Sequence, residues 1–327
     1  MTRVVVKKTS DVTKSEWEQI AAGFNEEFES EKTTQELIAF YSASFCGYSY
    51  HGLGFADSGE LVGYSAVTPY KYADRDGAEF LVGLSGSSFV KKLYRKDIFV
   101  LSDVYKALRA SCKQDGFVVI LGVPNQNAFQ YLIKLLRFRF LYNLAYYVLP
   151  LSPKLLVKRN LPTAFRWSWK TLIRCYIKLI ELTTYAYNPI AKTSRYAVSF
   201  TEESFAKRFS EKYNTVIHGE CNFTYRLCEE KGLQTAYLFD FSKKGQRSLR
   251  ALTQAVYHIA SNDAVDLILF VGKLEMKQCL LFKIPQSLQP KILPLTIDVL
   301  IEKSHPSYAL FMQPSLWDFG LLNLDVR

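Results

Sequence analysis

Residues 85–138 carry the clearest structural signals and have the sequence SGSSFVKKLYRKDIFVLSDVYKALRASCKQDGFVVILGVPNQNAFQYLIKLLRF. Residues 117–123, FVVILGV, form a continuous apolar run, which is typical of a strand buried on both faces. A helix is predicted before this strand because apolar residues share one face at helical spacing: Leu101, Val104, Tyr105 and Leu108. A basic segment separates that helix from an earlier strand, and a short helix follows the apolar run. This order predicts a sheet with helices packed against it.

The segments before and after this stretch add helices and antiparallel strands. Thr13 and Thr33 are each followed three residues later by glutamate, which is the capping-box pattern at a helix start. Across residues 48–89 the apolar period changes to two, and two turns rich in Asp and Gly divide this part into three strands. Residues 141–149 fit one final strand. The first half therefore predicts an α/β (α+β) fold with a mixed, mostly antiparallel sheet flanked by helices.

The same order of elements returns later in the chain. Strand, helix, strand and short segment occur around residues 80–140 and again around residues 235–300. The 327 residues also agree with about two domains, at roughly 150 residues for each domain. We therefore expect the sheet to be duplicated as two similar lobes.

Composition and charge exclude several classes of protein. Hydrophobic residues make up 49% and charged residues 22%, which fits a globular chain and not a collagen-like, coiled-coil or disordered one. The most apolar stretch, residues 140–151, is shorter than the roughly 20 residues of a spanning helix, and no signal-peptide pattern occurs. We therefore expect a cytoplasmic protein. The net charge of +10 favours an anionic partner.

The six cysteines are scattered along the chain without a C-x-x-C pair. His218, Cys221 and Cys228 are close in sequence, but zinc sites show tighter pairs with a second pair at a distance. Free thiols in a reducing compartment explain this usage better. We expect no metal.

Much of the positive charge lies in residues 150–195, where nine basic residues face the single acid Glu181 and give a net charge of +8. Apolar residues at helical spacing predict a helix with a basic face. The favoured interpretation is a connector between two lobes. The alternative is peripheral contact of residues 154–178 with an anionic membrane. No motif for nucleic-acid binding accompanies the segment, so no nucleic acid is expected.

Residues 92–99, KLYRKDIF, and residues 122–129, GVPNQNAF, carry a family resemblance together with Lys134 and the pair Arg137-Phe138. Here the sequence resembles the GCN5-related N-acetyltransferase (GNAT) superfamily, in particular two-lobed bacterial members found with polysaccharide genes. The second half resembles the second lobe of those proteins more faintly. The resemblance implies an acyl-CoA-binding lobe at residues 1–150, a helical connector at 151–195 and a degenerate GNAT-like lobe at 196–327.

The resemblance also implies a site for acetyl-CoA as co-substrate. The loop at residues 94–99 would bind the pyrophosphate through backbone N–H groups at a helix start, and the strand before it would bind the pantetheine. The implied binding residues are Phe89, Val90, Lys91, Arg95, Lys96, Asp97, Ile98, Phe99, Asn125 and Asn127. Tyr131 is the candidate acid for the leaving thiolate. Glu79 is the candidate base, with Glu60 and His51 as further candidates.

This sequence departs from the family pattern at the loop. Ile98 and Val100 occupy positions that are usually glycine, and Asp97 puts a carboxylate beside the expected pyrophosphate. Arg137 occupies the glycine position of the family's K-x-G-F motif. The leading hypothesis is transfer of an acetyl group to an amine of a sugar nucleotide or similar acceptor, either a small molecule or a glycan. The alternative is a GNAT-fold binding or scaffold subunit without catalysis.

Overall fold

The computed structural model describes residues 2–153, 163–190, 196–209, 212–230, 232–274 and 276–324. The chain forms two compact units. The first contains Met1–Asn143, Arg195–Arg208 and Ile292–Trp317, and the second contains Leu144–Ser194, Phe209–Lys291 and Asp318–Arg327. These units interleave along the chain, whereas the three segments expected from sequence are continuous. The roles assigned to those three segments stay a prediction.

The first unit has a mixed sheet with helices packed against it, as the sequence predicted. Its elements are β1 (Arg3–Lys8), α1 (Lys14–Phe28), α2 (Thr34–Ser42), β2 (Tyr50–Phe55), β3 (Leu61–Ala73), β4 (Glu79–Val90), α3 (Phe99–Gln114), β5 (Phe117–Gly122), α4 (Gln126–Lys134) and β6 (Arg139–Asn143). Later residues add β8 (Ala197–Val198), α6 (Glu202–Arg208), β14 (Pro294–Val299) and α8 (Tyr308–Phe311). Within the described residues the strand order is β1-β2-β3-β4-β5-β14-β6, with β8 paired to β3. β4 and β5 form a parallel pair in this sheet.

The predicted capping boxes start the first two helices. The Thr13 side chain accepts a hydrogen bond from the Glu16 N–H, and the Glu16 carboxylate accepts one from the Thr13 N–H. Thr33 and Glu36 repeat this arrangement at α2. Because the caps satisfy N–H groups that have no partner inside a helix, they determine where the helices begin. The apolar face of α1 then packs into the core.

The second unit has its own mixed sheet. Its elements are β7 (Ala145–Pro150), α5 (Thr163–Ala186), β9 (Asn214–His218), β10 (Cys221–Glu230), β11 (Leu233–Lys243), α7 (Leu249–Asn262), β12 (Leu267–Gly272) and β13 (Phe282–Lys283). The strand order among described residues is β13-β7-β12-β11-β10-β9, and β11 and β12 form the parallel pair. Two lobes, each with a mixed sheet and a parallel central pair, confirm the predicted duplication.

The single strand predicted at residues 141–149 is instead two strands in different sheets. β6 pairs with β14 in the first unit, whereas β7 pairs with β12 in the second. β14 comes from late in the chain and lies between β5 and β6. A continuous apolar run predicts burial, but it carries no information about which sheet each half joins.

The basic connector is described from residue 163 onwards as α5, and residues 154–162 lie outside the described part. Ile173, Ile177 and Ile180 are buried against the second sheet and α7. The opposite face leaves apolar side chains exposed, namely Leu172, Leu179 and Leu182. No helix in the described ranges is both long and apolar enough to cross a bilayer. Membrane contact through residues 154–178 stays a prediction.

Candidate functional site

The site begins where the parallel strands of the first sheet separate. β4 pairs with β5 from Leu81 to Ser85, and β4 then continues without β5 as far as Val90. Ser87 has a left-handed φ of 52°, and the register with β3 shifts at this point. The structure thus contains a β-bulge in β4, which bends the strand away from β5.

The bulge leaves one backbone edge of β4 facing the gap. Lys91 donates its N–H to the Val62 carbonyl of β3, so by strand alternation the backbone groups of Val90 face the other way. The Arg95 side chain confirms this direction because its Nε donates to the Val90 carbonyl oxygen at 3.1 Å. The Val90 N–H is therefore directed to the gap between the strands.

A cleft of about 550 Å³ occupies this gap in the first unit. Of the twelve site residues expected from sequence, the structure brings eight to its wall: Phe89, Val90, Arg95, Asp97, Ile98, Asn125, Asn127 and Tyr131. Asn125 also caps α4, since its Oδ1 accepts the Ala128 N–H at 2.8 Å. Lys91, Lys96 and Phe99 belong to the same loop region but do not line the cleft. Their binding roles stay a prediction.

Tyr131 lies on α4 with its hydroxyl in the cleft. The hydroxyl donates to the Ile98 carbonyl oxygen at 2.9 Å, which ties α4 to the start of α3. Burial raises the pKa of Tyr131 to about 12. The phenol is therefore protonated at neutral pH and is able to act as a proton donor.

Glu27 is the main cleft residue that sequence reasoning missed. Its side chain is only 6% exposed although it is charged, and its Oε1 has no hydrogen-bond partner among the described residues. The other carboxylate oxygen accepts from the Arg95 guanidinium. A buried carboxylate oxygen without a partner is costly, which makes this group notable in a cleft. The only sequence signal was a glutamate at the end of the predicted helix α1.

Asp97 lies at the N-terminus of α3, where the resemblance places a pyrophosphate. Its Oδ1 accepts the Phe99 N–H at 3.0 Å, so the carboxylate already uses one backbone donor of the helix start. The basic residues nearby are mostly exposed, and Lys91 pairs with Glu60 at 2.8 Å. This pairing engages Glu60, one of the alternative bases. The cleft fits a pantetheine chain along β4 better than it fits a phosphate at Asp97.

The structure does not bring Glu79 to this cleft. Glu79 is the first residue of β4, eleven residues from Val90, and at about 3.3 Å per residue the two are separated by most of the strand. Its carboxylate accepts from Ser199 at 2.8 Å and lies 3.6 Å from the Lys71 ammonium. A base in the cleft must therefore come from another residue.

His51 is a core residue. It is fully buried, with Nε2 3.0 Å from the Thr9 hydroxyl and Nδ1 2.8 Å from the Tyr64 hydroxyl. Burial lowers its pKa to about 3, so the ring is neutral at physiological pH. With no exposed surface, it has no access to a substrate amine.

No cluster of three metal-binding side chains forms within the described ranges. His218 is an exposed residue of β9, whereas Cys221 is buried, and all six cysteines are free thiols.

Solved structures with a similar fold cover nearly all of the chain. A conserved protein of Enterococcus faecalis, described as a probable N-acyltransferase, matches 92% of this chain and 73% of its own, with a TM-score of 0.55 and 15% identity. A GCN5-related N-acetyltransferase of Kribbella flavida matches over 92% and 72%, with a TM-score of 0.57 and 11% identity. Eis1 of Mycobacterium abscessus matches over 96% and 76%, with a TM-score of 0.52 and 12% identity.

These similarities define the class of fold. The chain has the fold of GCN5-related N-acetyltransferases, which confirms the predicted fold class. Comparisons with protein-family models and with curated sequences find no match. The narrower resemblance to polysaccharide-cluster members stays a prediction.

Proposed function

We propose that this protein is an acyl-CoA-dependent N-acyltransferase, which moves an acetyl group from acetyl-CoA to the amine of a small acceptor. The observation that carries the proposal is the cleft between β4 and β5. It combines a backbone N–H of Val90 directed to the gap, a protonated phenol at Tyr131 and a buried carboxylate at Glu27. These three groups match the requirements of acyl transfer to an amine.

Acetyl-CoA supplies the thioester that is cleaved in this proposal. Glu27 accepts the proton of the attacking amine, whose nitrogen forms the new bond to the acetyl carbon. The Val90 N–H donates to the acetyl oxygen as negative charge develops there. The carbon–sulfur bond breaks, and Tyr131 donates its proton to the leaving thiolate.

The Arg95 side chain contacts two residues of this proposed site, Val90 and Glu27. Its guanidinium contacts both the Val90 carbonyl and the Glu27 carboxylate. A pantetheine chain on the same edge of β4 competes for Val90, so we expect Arg95 to move when it binds. This movement removes the cation from Glu27 and makes its carboxylate a stronger proton acceptor.

The acceptor that we propose is an amino group on a sugar nucleotide or related glycan precursor. Glu27 and Phe28 bring the end of α1 into the cleft wall, so acceptor contacts come from this helix as well as from α4. An anionic or hydroxyl-rich acceptor agrees with the exposed basic loop at Lys92 and Lys96.

Isothermal titration with CoA and with acetyl-CoA tests the first requirement. We expect saturable binding at micromolar to high micromolar ligand. Absence of heat in that range contradicts acyl transfer and supports the alternative of a non-catalytic scaffold. Thiol release with a panel of amines, including amino-sugar nucleotides, then tests the acceptor.

Glu27→Gln tests the base directly. We expect acetyl transfer at neutral pH to fall at least about 100-fold because a carboxamide accepts no proton, while binding of CoA persists. Glu26→Gln is the matched control, since Glu26 is the neighbouring exposed carboxylate on the same helix. Equal rates in both variants contradict the role of Glu27.

A further inference from the structure

A second cavity of about 390 Å³ lies in the first unit at the end of the sheet opposite the cleft. β5 runs from Phe117 at this end to Gly122 at the cleft, and the Leu300 N–H of the cavity wall bonds to the Val118 carbonyl. The wall is formed by the last turns of α3, the start of β6, the end of β14 and the residues that follow it. None of its residues belongs to the catalytic machinery proposed above.

This cavity is strongly cationic. Five basic side chains line it against two carboxylates: Arg109, Lys113, Arg137, Arg139 and Lys303 against Asp298 and Glu302. Asp298 is already satisfied, because Arg109 Nε donates to its carboxylate at 2.7 Å and Tyr105 Oη at 2.9 Å. This arrangement anchors Arg109 at the cavity wall.

The remaining four cations make no direct ion pair, although Arg137 is close enough to Asp298 to lower the pKa of that carboxyl. Within the described ranges, neither an ion pair nor a side-chain hydrogen bond involves Lys113, Arg137, Arg139 or Lys303. Like charges that line one cavity repel one another, and a bound anion reduces that repulsion. Five basic and two acidic side chains leave the cavity wall with a net charge of +3.

Arg137 provides an independent observation. Its φ is 63°, in the left-handed region that favours glycine. Glycine at this position would relieve the backbone, yet the chain has an arginine there and directs it to the cavity wall. An observed backbone strain that places a charged group at a cavity is an argument for a function of that group.

We propose that this cavity binds a small molecule that carries a diphosphate group. Planar guanidinium groups donate paired hydrogen bonds to phosphate oxygens, and two of the four unpartnered cations are arginines. The volume lies within the range of small-molecule sites. A net charge of +3, from five basic and two acidic side chains, matches a diphosphate better than a single carboxylate or phosphate.

Isothermal titration with inorganic pyrophosphate tests the proposal. We expect the protein to bind pyrophosphate at least tenfold more tightly than orthophosphate, with an affinity that falls as salt increases. No heat with millimolar pyrophosphate at low salt overturns the proposal, and so does equal affinity for the two anions.

Arg137→Gly distinguishes a loss of pyrophosphate affinity from a loss of protein stability. We expect pyrophosphate affinity to fall at least tenfold while the melting temperature is unchanged or rises, because glycine relieves the left-handed backbone. Arg139→Ala, at an exposed strand end, is a second variant with the same expected loss of affinity. Unchanged affinity in both variants overturns the proposal.

Lys96→Ala is the control for binding of pyrophosphate at the cleft loop instead. We expect Arg137→Gly to lose more of the pyrophosphate affinity than this variant does. Loss of binding in Lys96→Ala but not in Arg137→Gly assigns the anion to the loop and overturns the proposal. The assignment to a small molecule is overturned if a DNA oligonucleotide binds more tightly than pyrophosphate and Arg137→Gly abolishes that binding.

Discussion

The two units share a parallel strand pair followed by a helix, but the strand ends border an open cleft in the first unit and are covered in the second. Each has a parallel strand pair, β4–β5 or β11–β12, and each has a register shift in the first of these strands. A helix follows in both, α3 or α7. In the first unit the separation of the strands leaves an open cleft. In the second unit, protein atoms occupy the corresponding strand ends.

The second unit closes this region with an ion network. Arg247 NH1 donates to Asp318 at 2.9 Å and Arg247 Nε donates to Asp240 at 3.2 Å, and the two carboxylates raise the pKa of the guanidinium. Asp240 lies on β11, so the network holds the end of the chain at that strand.

Backbone contacts also cover the end of β12 in the second unit. The Leu321 N–H donates to the Val271 carbonyl of β12 at 3.0 Å. A Cβ atom on Gly320 would lie 2.6 Å from the same carbonyl oxygen, so only glycine allows this approach. The start of α7 is also satisfied within the protein, since Ser248 and Asn188 accept N–H groups there.

The difference shows that a GNAT-type strand pair does not by itself leave an open cleft. The strand ends must also be free of other chain segments. In the first unit, Asp97 accepts one of the backbone N–H groups at the start of α3. The first unit is therefore intermediate between an open arrangement and a closed one.

Tyr131→Phe is expected to have the largest effect among the changes compared between the two units. Loss of the proton donor reduces acetyl transfer about 100-fold at neutral pH. Because the pKa of Tyr131 is about 12, we expect the rate of the unaltered protein to show no loss from deprotonation of this phenol up to pH 10. Steady-state rates from pH 6 to pH 10 measure both. Tyr94→Phe is a control on the neighbouring loop, and an equal loss in the control contradicts the assignment.

Arg247→Ala is expected to open the closed unit. It leaves Asp240 and Asp318 without their cation, and we expect a loss of roughly 2 to 3 kcal/mol in the free energy of unfolding, because the carboxylates are only partly buried. Denaturant titration measures this loss. Lys207→Ala breaks an exposed pair with Glu203 and is expected to change stability by less than about 1 kcal/mol.

Acid is expected to destabilise the first unit through His51. Its folded pKa of about 3 lies below the unfolded value of 6.5, so the unfolded chain binds the proton first as the pH falls. The stabilisation is complete above pH 6.5 and decreases below it, by about 2 kcal/mol at pH 5. Unfolding free energies at pH 7 and pH 5 test this.

His51→Asn is the matched variant for the acid measurement. It removes the titrating group and is expected to flatten the pH dependence over this interval, whatever its effect on stability at pH 7. A pH dependence as steep as that of the unaltered protein excludes His51 as the cause.

Asp97→Asn is expected to have the smallest effect. The amide oxygen is still able to cap α3, but the negative charge is gone, so CoA affinity should rise about three- to tenfold. Isothermal titration measures the change. Asp103→Asn, further along α3, is the control, and an equal gain there attributes the effect to net charge alone.

Local sequence signals predicted the elements well where a physical rule acts over a few residues. The capping boxes at Thr13 and Thr33 and the buried strand β5 are all formed. Eight of the predicted site residues meet in one cleft because they follow one strand, one loop and one helix start.

The remaining features depend on contacts between distant residues. Glu27 reaches the cleft from the end of α1, and its pairing with Arg95 spans 68 positions of sequence. Glu79 is a carboxylate on β4, the strand that borders the cleft, but it lies at the end of β4 far from the cleft. Residue type alone does not show how far a strand extends.

Local patterns are enough to predict the class of fold, since the apolar periods, the caps and the loop at residues 92–99 act over a few residues. The position of β14 between β5 and β6 and the pairing of β7 in the other sheet depend on tertiary contacts. The same contacts determine which strand pair stays open. Strand pairing and burial depend on which distant segment supplies the better partner, and residues from the whole chain compete for that place.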